Sequence, residues 1–275
     1  MAPELTTLSL DGQPWQVASW GRPDRPALLL LHGFTGSHQS WEDLAPNWAE
    51  DFWVVAPDLP GHGATCTPAA PQDLSLAATA DRLAALLDRL SIAKATVLGY
   101  SMGGRLALHA ALNHPSRFSA LILESASPGI RDVEERAARR ERDNALADGI
   151  EARGLDWFIP YWANQPLFHG QSEAVREAEN RVRWTQSARG LAQSLRGAGT
   201  GQQESLWDEL STLHMPVLLI TGDDDAKFTA AAERMRERRP ATSWVRVPHA
   251  GHTVHRDQPD QFREIVLHFL ATERP

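Results

Sequence analysis

Six short apolar runs rich in Val, Leu and Ile recur along the 275-residue chain, and most of them lead into Gly, Pro, Asp or Ser. Runs of this length followed by turn residues are typical of buried parallel strands. Amphipathic segments lie between them, as the crossover helices of a parallel sheet require. The pattern therefore predicts one α/β domain with a mostly parallel sheet and helices on both faces. The runs are residues 27–31, 53–56, 95–99, 120–123, 217–221 and 244–247.

The alternation of strand-like and helix-like segments stops after Pro128-Gly129 and resumes near Pro216. The residues between these points are helix-like and rich in Arg and Glu, which predicts an inserted helical cap at 130–211 between core segments 1–129 and 212–275. At the N-terminus, Asp11-Gly12 separates two strand-like runs and predicts a hairpin at one edge of the sheet.

The composition argues against several classes of function. The chain has 27 Lys and Arg against 35 Asp and Glu, a net charge of −8, which disfavours nucleic acid or an anionic membrane as a partner. Its single cysteine can form neither an intrachain disulfide nor a thiolate zinc site. The longest aliphatic run is too short to cross a bilayer, and no basic-then-apolar leader precedes it. We therefore expect a cytoplasmic protein without membrane insertion.

The segment GYSMG at 99–103 carries the strongest functional signal, because it lies between a strand-like run and a helix-like segment. Small residues around a serine allow a strained strand-to-helix turn that exposes the hydroxyl group at the carboxyl end of the sheet. This context favours Ser101 as a nucleophile or base. A glycine-rich turn that only caps the helix is the structural alternative.

An acid follows a later predicted strand. The run 217–221 leads into Gly222-Asp223-Asp224-Asp225. Asp225 fits the GxxD spacing best, and Asp223 or Asp224 is the alternative. The acid of a triad fixes the tautomer of the catalytic imidazole.

A histidine-rich loop follows the last predicted strand. The order Ser, Asp, His along the chain predicts a triad of Ser101, Asp225 and His252, with His249 as the alternative base. His249, His252 and His255 could instead bind a metal, but no helix aligns them, so we predict no metal site.

A third element of the site follows the first parallel strand. His32-Gly33-Phe34 comes directly after the run 27–31, where folds of this kind place one donor to an oxyanion. We expect the backbone N–H groups of Phe34 and Met102 to converge on negative charge that develops near Ser101. A plain β-turn is the alternative.

Six blocks in order make the chain resemble the α/β-hydrolase superfamily and, within it, the 2-succinyl-6-hydroxy-2,4-cyclohexadiene-1-carboxylate synthases of menaquinone biosynthesis. The resemblance implies an α/β-hydrolase fold with an inserted helical cap and a lyase that eliminates pyruvate from 2-succinyl-5-enolpyruvyl-6-hydroxy-3-cyclohexene-1-carboxylate. It implies neither a metal nor an organic cofactor. It also implies that Ser101, activated by His252 and Asp225, removes a ring proton without becoming acylated. The blocks are LHGFTGS at 31–37, GYSMGGR at 99–105, LESASPG at 123–129, SLRGAGTG at 194–201, DAKF at 225–228 and AGHTVH at 250–255.

The implied substrate is a small tricarboxylate, and arginine holds carboxylates in a fixed orientation better than lysine does. Arg105 lies four residues after Ser101 and therefore on the same face of the predicted helix. A salt bridge to a cap acid is the alternative role for Arg105, a solvated surface position for Arg139, and a place in the cap core for Trp162. The family pattern implies substrate contacts for Tyr100, Arg105, Arg139, Trp162, Arg183 and Lys227.

A serine hydrolase, either a carboxylesterase or a carbon–carbon bond hydrolase, is the alternative function, because it would use the same triad. The cationic cap favours the lyase, since a neutral ester would not need converging arginines. We expect a monomer or weak homo-oligomer whose cap closes over the site.

Overall fold

A computed structural model describes residues 1–273, and its first two strands form the predicted hairpin. Strands β1 (Glu4–Leu10) and β2 (Gln13–Trp20) pair antiparallel. Asp11 and Gly12 have φ values of 50° and 75°. Two successive positive φ angles are what a two-residue type I′ turn requires, so the Asp-Gly pair sets the register of this hairpin.

The remaining strands form the parallel part of one eight-stranded sheet with the order β1-β2-β4-β3-β5-β6-β7-β8. All neighbours from β4 through β8 pair in parallel, and β2 joins β4 antiparallel. Each of the six predicted runs lies in one of these strands, which confirms the predicted sheet. The strands are β3 (Ala27–Leu31), β4 (Trp53–Pro57), β5 (Ala95–Tyr100), β6 (Phe118–Glu124), β7 (Val217–Gly222) and β8 (Ser243–Val247).

Helices cover both faces of the sheet because side chains alternate along each buried strand. Leu28 belongs to an apolar cluster with Phe262, whereas Leu29 belongs to a second cluster with Leu106. Single 3-10 turns cover His38–Trp41, Pro71–Leu74, Pro115–Arg117, Pro166–Phe168 and Leu210–Thr212. The α-helices of the core are α1 (Ala45–Trp48), α2 (Leu76–Arg89), α3 (Met102–Asn113), α7 (Ala226–Arg238), α8 (Val254–Asp257) and α9 (Pro259–Thr272).

Three helices lie between β6 and β7, where the sequence predicts the cap: α4 (Val133–Ala163), α5 (Glu173–Trp184) and α6 (Ala188–Ala198). Helix α4 is interrupted at Gly154, whose φ of 73° and ψ of −173° are not helical. The cap has an apolar cluster of its own that includes Ile150 and Leu191. The division of the chain at residues 130 and 211 stays a prediction. Across residues 1–273, no helix has both the length and the apolar character needed to cross a membrane.

Candidate active site

Ser101 occupies a strained turn between β5 and α3. Its φ of 51° and ψ of −107° are unusual for a residue with a side chain. The flanking glycines leave no room for a larger residue, because a Cβ on Gly99 would lie 2.3 Å from the carbonyl oxygen of Gly103, and one on Gly103 would lie 2.2 Å from that of Leu31. The glycines therefore allow the close packing that holds the serine hydroxyl group at the carboxyl end of the sheet.

The structure brings Ser101, His252 and Asp225 into one hydrogen-bonded chain. His252 Nε2 lies 3.0 Å from Ser101 Oγ, and His252 Nδ1 lies 2.7 Å from Asp225 Oδ2. The second carboxylate oxygen of Asp225 accepts a hydrogen bond from the Phe228 backbone N–H at 3.3 Å, which orients the acid. His252 and Asp225 are buried. This is the geometry in which an imidazole can take a proton from a serine hydroxyl group.

The residues considered as alternative members of the triad lie outside this hydrogen-bonded chain. His249 and Asp224 are exposed, and Asp223 pairs with Arg246 at 3.0 Å on the surface. His255 has a different carboxylate partner from His252. Within residues 1–273, no group of three or more His, Cys, Asp or Glu side chains is arranged to hold a metal ion.

The loop after β3 brings Phe34 close to the strained turn that carries Ser101. Phe34, Ser101 and Met102 line one cavity of about 380 Å³. A Cβ on Gly33 would lie 2.6 Å from the Tyr100 ring, so this loop packs closely beside the serine. This placement allows the Phe34 and Met102 backbone N–H groups to donate to an oxyanion near Ser101. That role stays a prediction.

Two buried imidazoles support this loop. The rings of His32 and His62 lie 5.1 Å apart, and the His62 ring lies 5.7 Å from the Phe34 ring. Burial lowers the pKa of His32 to about 4 and that of His62 to about 3. Both side chains are therefore neutral at neutral pH, and His32 Nε2 accepts a hydrogen bond from the Leu59 N–H at 2.9 Å.

Arg105 contributes a buried cation to the cavity. It is 9% exposed, and burial, together with the nearby charge of Arg139, lowers its pKa to about 10. Its guanidinium group donates to the side-chain oxygen of Gln203 at 3.3 Å. No acid among residues 1–273 lies within ion-pair distance of it; the nearest opposing charge, Asp143 in the cap, pairs with Arg139 and only partly offsets the lowered pKa of Arg105. A buried cation without a directly bonded acid favours an anionic ligand.

Two more predicted cations line the cavity. Arg139 donates from Nε to Asp143 Oδ1 at 2.8 Å, and Asp143 Oδ2 accepts from the Gly201 N–H at 3.0 Å. Lys227 also lines the cavity, and partial desolvation and the charge of Arg139 lower its pKa. The cavity wall thus carries several positive charges close together.

Trp162 belongs to the cavity wall and to the cap core at the same time. Its ring centroid lies 5.2 Å from that of Phe34 and 5.7 Å from that of Phe158. Its Nε1–H is buried in the cavity wall without a hydrogen-bond partner among residues 1–273. The position of Trp162 therefore allows both predicted roles, a contact with substrate in the cavity and a place in the cap core.

Tyr100 and Arg183 are not among the residues that line this cavity, so the substrate contacts that the family pattern implies for them stay predictions. The Tyr100 ring is buried between His252 at 5.3 Å and His255 at 4.8 Å, and burial raises its pKa well above the usual value. Arg183 is 1% exposed and lies 3.7 Å from Glu179 within its own helix.

Three residues of the site were missed by the sequence analysis. Arg142 and Asp143 line the cavity, and Gln203 holds Arg105. Helical spacing provided a signal for two of them, because Arg139, Arg142 and Asp143 lie three and four residues apart on α4. Gln203 gave no local signal, since its contact with Arg105 spans 98 residues of sequence.

Comparison with known proteins places this site in a family. A family model described as the alpha/beta hydrolase fold matches residues 26–259. A protein of Bacillus subtilis (strain 168), provisionally named 2-succinyl-6-hydroxy-2,4-cyclohexadiene-1-carboxylate synthase, is 42% identical over 265 residues, which are 95% of this chain and 96% of that protein. The chain belongs to the α/β-hydrolase family, in the branch of these synthases.

Other α/β hydrolases of this branch are similar over nearly the whole chain. A 2-succinyl-6-hydroxy-2,4-cyclohexadiene-1-carboxylate synthase of Klebsiella pneumoniae is 34% identical over 255 residues, covering 92% of this chain and 96% of the relative. The structure of MenH from S. aureus superposes with a TM-score of 0.89 at 30% identity, covering 95% of this chain and 99% of that one. The predicted family and fold are therefore confirmed.

Proposed function

We propose that the protein is a lyase of menaquinone biosynthesis that eliminates pyruvate from 2-succinyl-5-enolpyruvyl-6-hydroxy-3-cyclohexene-1-carboxylate. The observation that carries the proposal is a Ser-His-Asp chain at a cavity lined by four cationic side chains and one acid. The names of the similar synthases support it. A cytoplasmic location and a monomer or weak homo-oligomer stay predictions.

The first chemical step is removal of the proton on ring carbon 2. That carbon is adjacent to the ketone of the succinyl group, so loss of the proton delocalises negative charge onto the ketone oxygen. Ser101 Oγ takes the ring proton while its own proton passes to His252 Nε2, and Asp225 stabilises the imidazolium ion. The backbone N–H groups of Phe34 and Met102 stabilise the charge on the oxygen.

The electron pair then expels the leaving group. A double bond forms between carbons 2 and 3, the existing double bond moves to carbons 4 and 5, and the bond from carbon 5 to oxygen breaks. Enolpyruvate departs as its enolate, takes up the proton that the His252 imidazolium ion releases and becomes pyruvate, which returns the Ser101–His252 pair to its starting protonation state. The ring product is the 2,4-diene, and no covalent bond to Ser101 forms in this sequence. The proposal requires neither a metal nor an organic cofactor.

The charges of the cavity match the three carboxylates of this substrate. Arg105 has no carboxylate partner, Lys227 stands near it, and Arg139 reaches the cavity from the cap. Bidentate guanidinium–carboxylate pairs fix both position and orientation. Trp162 offers one additional N–H donor. A neutral ester would leave the buried Arg105 cation without an anionic partner, so the cavity favours the lyase over a serine hydrolase.

The test is pyruvate release from freshly prepared substrate, measured for the wild type, for Ser101→Ala and without enzyme. We expect Ser101→Ala to lower the rate by about 1,000-fold or more. Ser119→Ala, a change on strand β6 outside the cavity lining, is the matched control and should keep the wild-type rate. Release at the background rate, together with Ser101-dependent cleavage of aryl esters, would establish a serine hydrolase instead.

A further inference from the structure

Glu124 hydrogen-bonds to Ser101 and to His255, which lies three residues after His252. It is the last residue of β6, and its backbone oxygen accepts a hydrogen bond from the Ser101 N–H at 2.9 Å. Its carboxylate accepts from the backbone N–H of His255 and from His255 Nδ1, both at 2.9 Å. One fully buried residue therefore connects the turn that carries Ser101 to the segment that carries His252.

The His255 side chain fixes this connection in place. Its ring lies 4.8 Å from that of Trp41 and 4.8 Å from that of Tyr100, and the Tyr100 ring in turn packs against His252 at 5.3 Å. His255 is 2% exposed. Packing on both sides leaves the imidazole little freedom to leave the Glu124 carboxylate.

The stability of the fold does not account for this pair. Burial of a carboxylate and an imidazole costs desolvation free energy, and apolar residues of similar volume commonly stabilise a fold as well or better. The 3.0 Å contact between Ser101 and His252, however, joins segments that are 151 residues apart in sequence. The hydrogen bonds from Ser101 and His255 to Glu124 link those two segments and so restrain the contact between Ser101 and His252.

We propose that Glu124 is a positioning residue that acts through His255 to hold His252 against Ser101. The inference rests on the proposed roles of Ser101 and His252. Oε1 of Glu124 accepts from the His255 N–H and lies 2.9 Å from Nδ1, and Oε2 also lies 2.9 Å from Nδ1. In Glu124→Gln an amide NH₂ group replaces one of these oxygens, so the bond that this oxygen accepts from His255 is lost. His255→Ala removes the imidazole donor, whereas His255→Asn keeps an N–H donor near the position of Nδ1.

The first readout separates kcat from KM for pyruvate release. Small misplacement of a catalytic group lowers turnover, so we expect Glu124→Gln and His255→Ala to lower kcat about tenfold or more and to change KM less than about twofold. His255→Asn should stay within about threefold of the wild-type kcat, because the donor is retained.

The second readout does not depend on the substrate. A fluorophosphonate probe forms a bond between Ser101 Oγ and phosphorus, fluoride leaves, and the serine proton passes to His252. The labelling rate should fall in Glu124→Gln and His255→Ala in parallel with kcat. If the wild type is labelled but releases no pyruvate, the proposed reaction is wrong, and the labelling rates alone decide the role of Glu124.

The matched control is Phe118→Leu, a change in a buried residue at the other end of the same strand. It lies about 20 Å from Glu124 at the usual rise per strand residue, and it lowers stability without touching the loop of His252. We expect wild-type kcat and labelling in this variant. Unchanged kcat and labelling in Glu124→Gln and His255→Ala, or equal losses in Phe118→Leu, would overturn the proposal.

Discussion

The Asp143 carboxylate holds Arg139 with one oxygen and the Gly201 N–H with the other, at 2.8 Å and 3.0 Å. Asp143 is 4% exposed, so Arg139→Gln would leave a buried carboxylate without its cation. We expect this variant to lose about 1–2 kcal/mol of unfolding free energy in urea denaturation and to raise KM. Arg142→Gln, which changes an exposed cation of the same wall, should raise KM with less than about 0.5 kcal/mol of lost stability. Equal stability losses in the two variants would contradict this account of Asp143.

The fold buries the Arg105 cation without a directly bonded acid, so replacing it should affect stability and activity in opposite directions. Burial lowers its pKa to about 10, below the usual value for arginine, which means that the charged form is destabilised in the folded state. We expect Arg105→Met to raise the unfolding free energy at pH 7 by about 1–2 kcal/mol and to lower kcat/KM about 100-fold or more. Arg89→Met, a change at an exposed position, should alter neither. Wild-type kinetics in Arg105→Met would remove Arg105 from the binding site.

The buried neutral imidazoles make stability depend on pH. Burial lowers the pKa of His62 to about 3 in the folded protein, against 6.5 for a free imidazole, so between these values the unfolded chain binds a proton that the folded chain does not. The unfolding free energy should therefore fall as the pH drops below 6.5. His62→Phe should reduce the loss between pH 7 and pH 5 by about 1–2 kcal/mol. The exposed His214→Phe is the control, and a wild-type loss in His62→Phe would contradict the prediction.

Position 201 needs a glycine because a side chain there would collide with the backbone of α4, and not because the position needs an unusual φ angle. A Cβ there would lie 2.2 Å from the Arg140 backbone nitrogen, so Gly201→Ala must push the segment before β7 away from α4. We expect a loss of about 2 kcal/mol or more in thermal or chemical unfolding, together with a raised KM. Gly170→Ala changes a glycine with φ of 93° and open space around it, and should cost only about 1 kcal/mol. Similar losses in both would show that the contact is unimportant.

The sheet and the Ser-His-Asp arrangement could be predicted from sequence because their signals are local. The run before Ser101, the glycines around it, and the loops of Asp225 and His252 each lie within a few residues of a strand end. The carboxyl ends of parallel strands meet at one edge of a sheet, so the order of the strands was enough to bring these residues together. The Asp11-Gly12 hairpin followed from the same kind of local rule.

The cavity wall could not be predicted in the same way, because its contacts join distant segments. Nothing near Gln203 in sequence indicates that it would hold Arg105, and the glycines of GAGTG are explained by packing against neighbouring backbone. Sequence spacing also did not indicate that the buried Arg183 guanidinium group would pair with Glu179 one turn earlier on α5 and stack on Phe168.

A site that eliminates rather than hydrolyses must form pyruvate and a conjugated diene in the same reaction. Pyruvate and the conjugated cyclohexadiene are quantified together as the wild type consumes the substrate. Elimination yields one diene for each pyruvate, and both signals fall to background in Ser101→Ala. Pyruvate without the diene would mean that water has cleaved the enol ether, and it would contradict the proposed proton abstraction by Ser101.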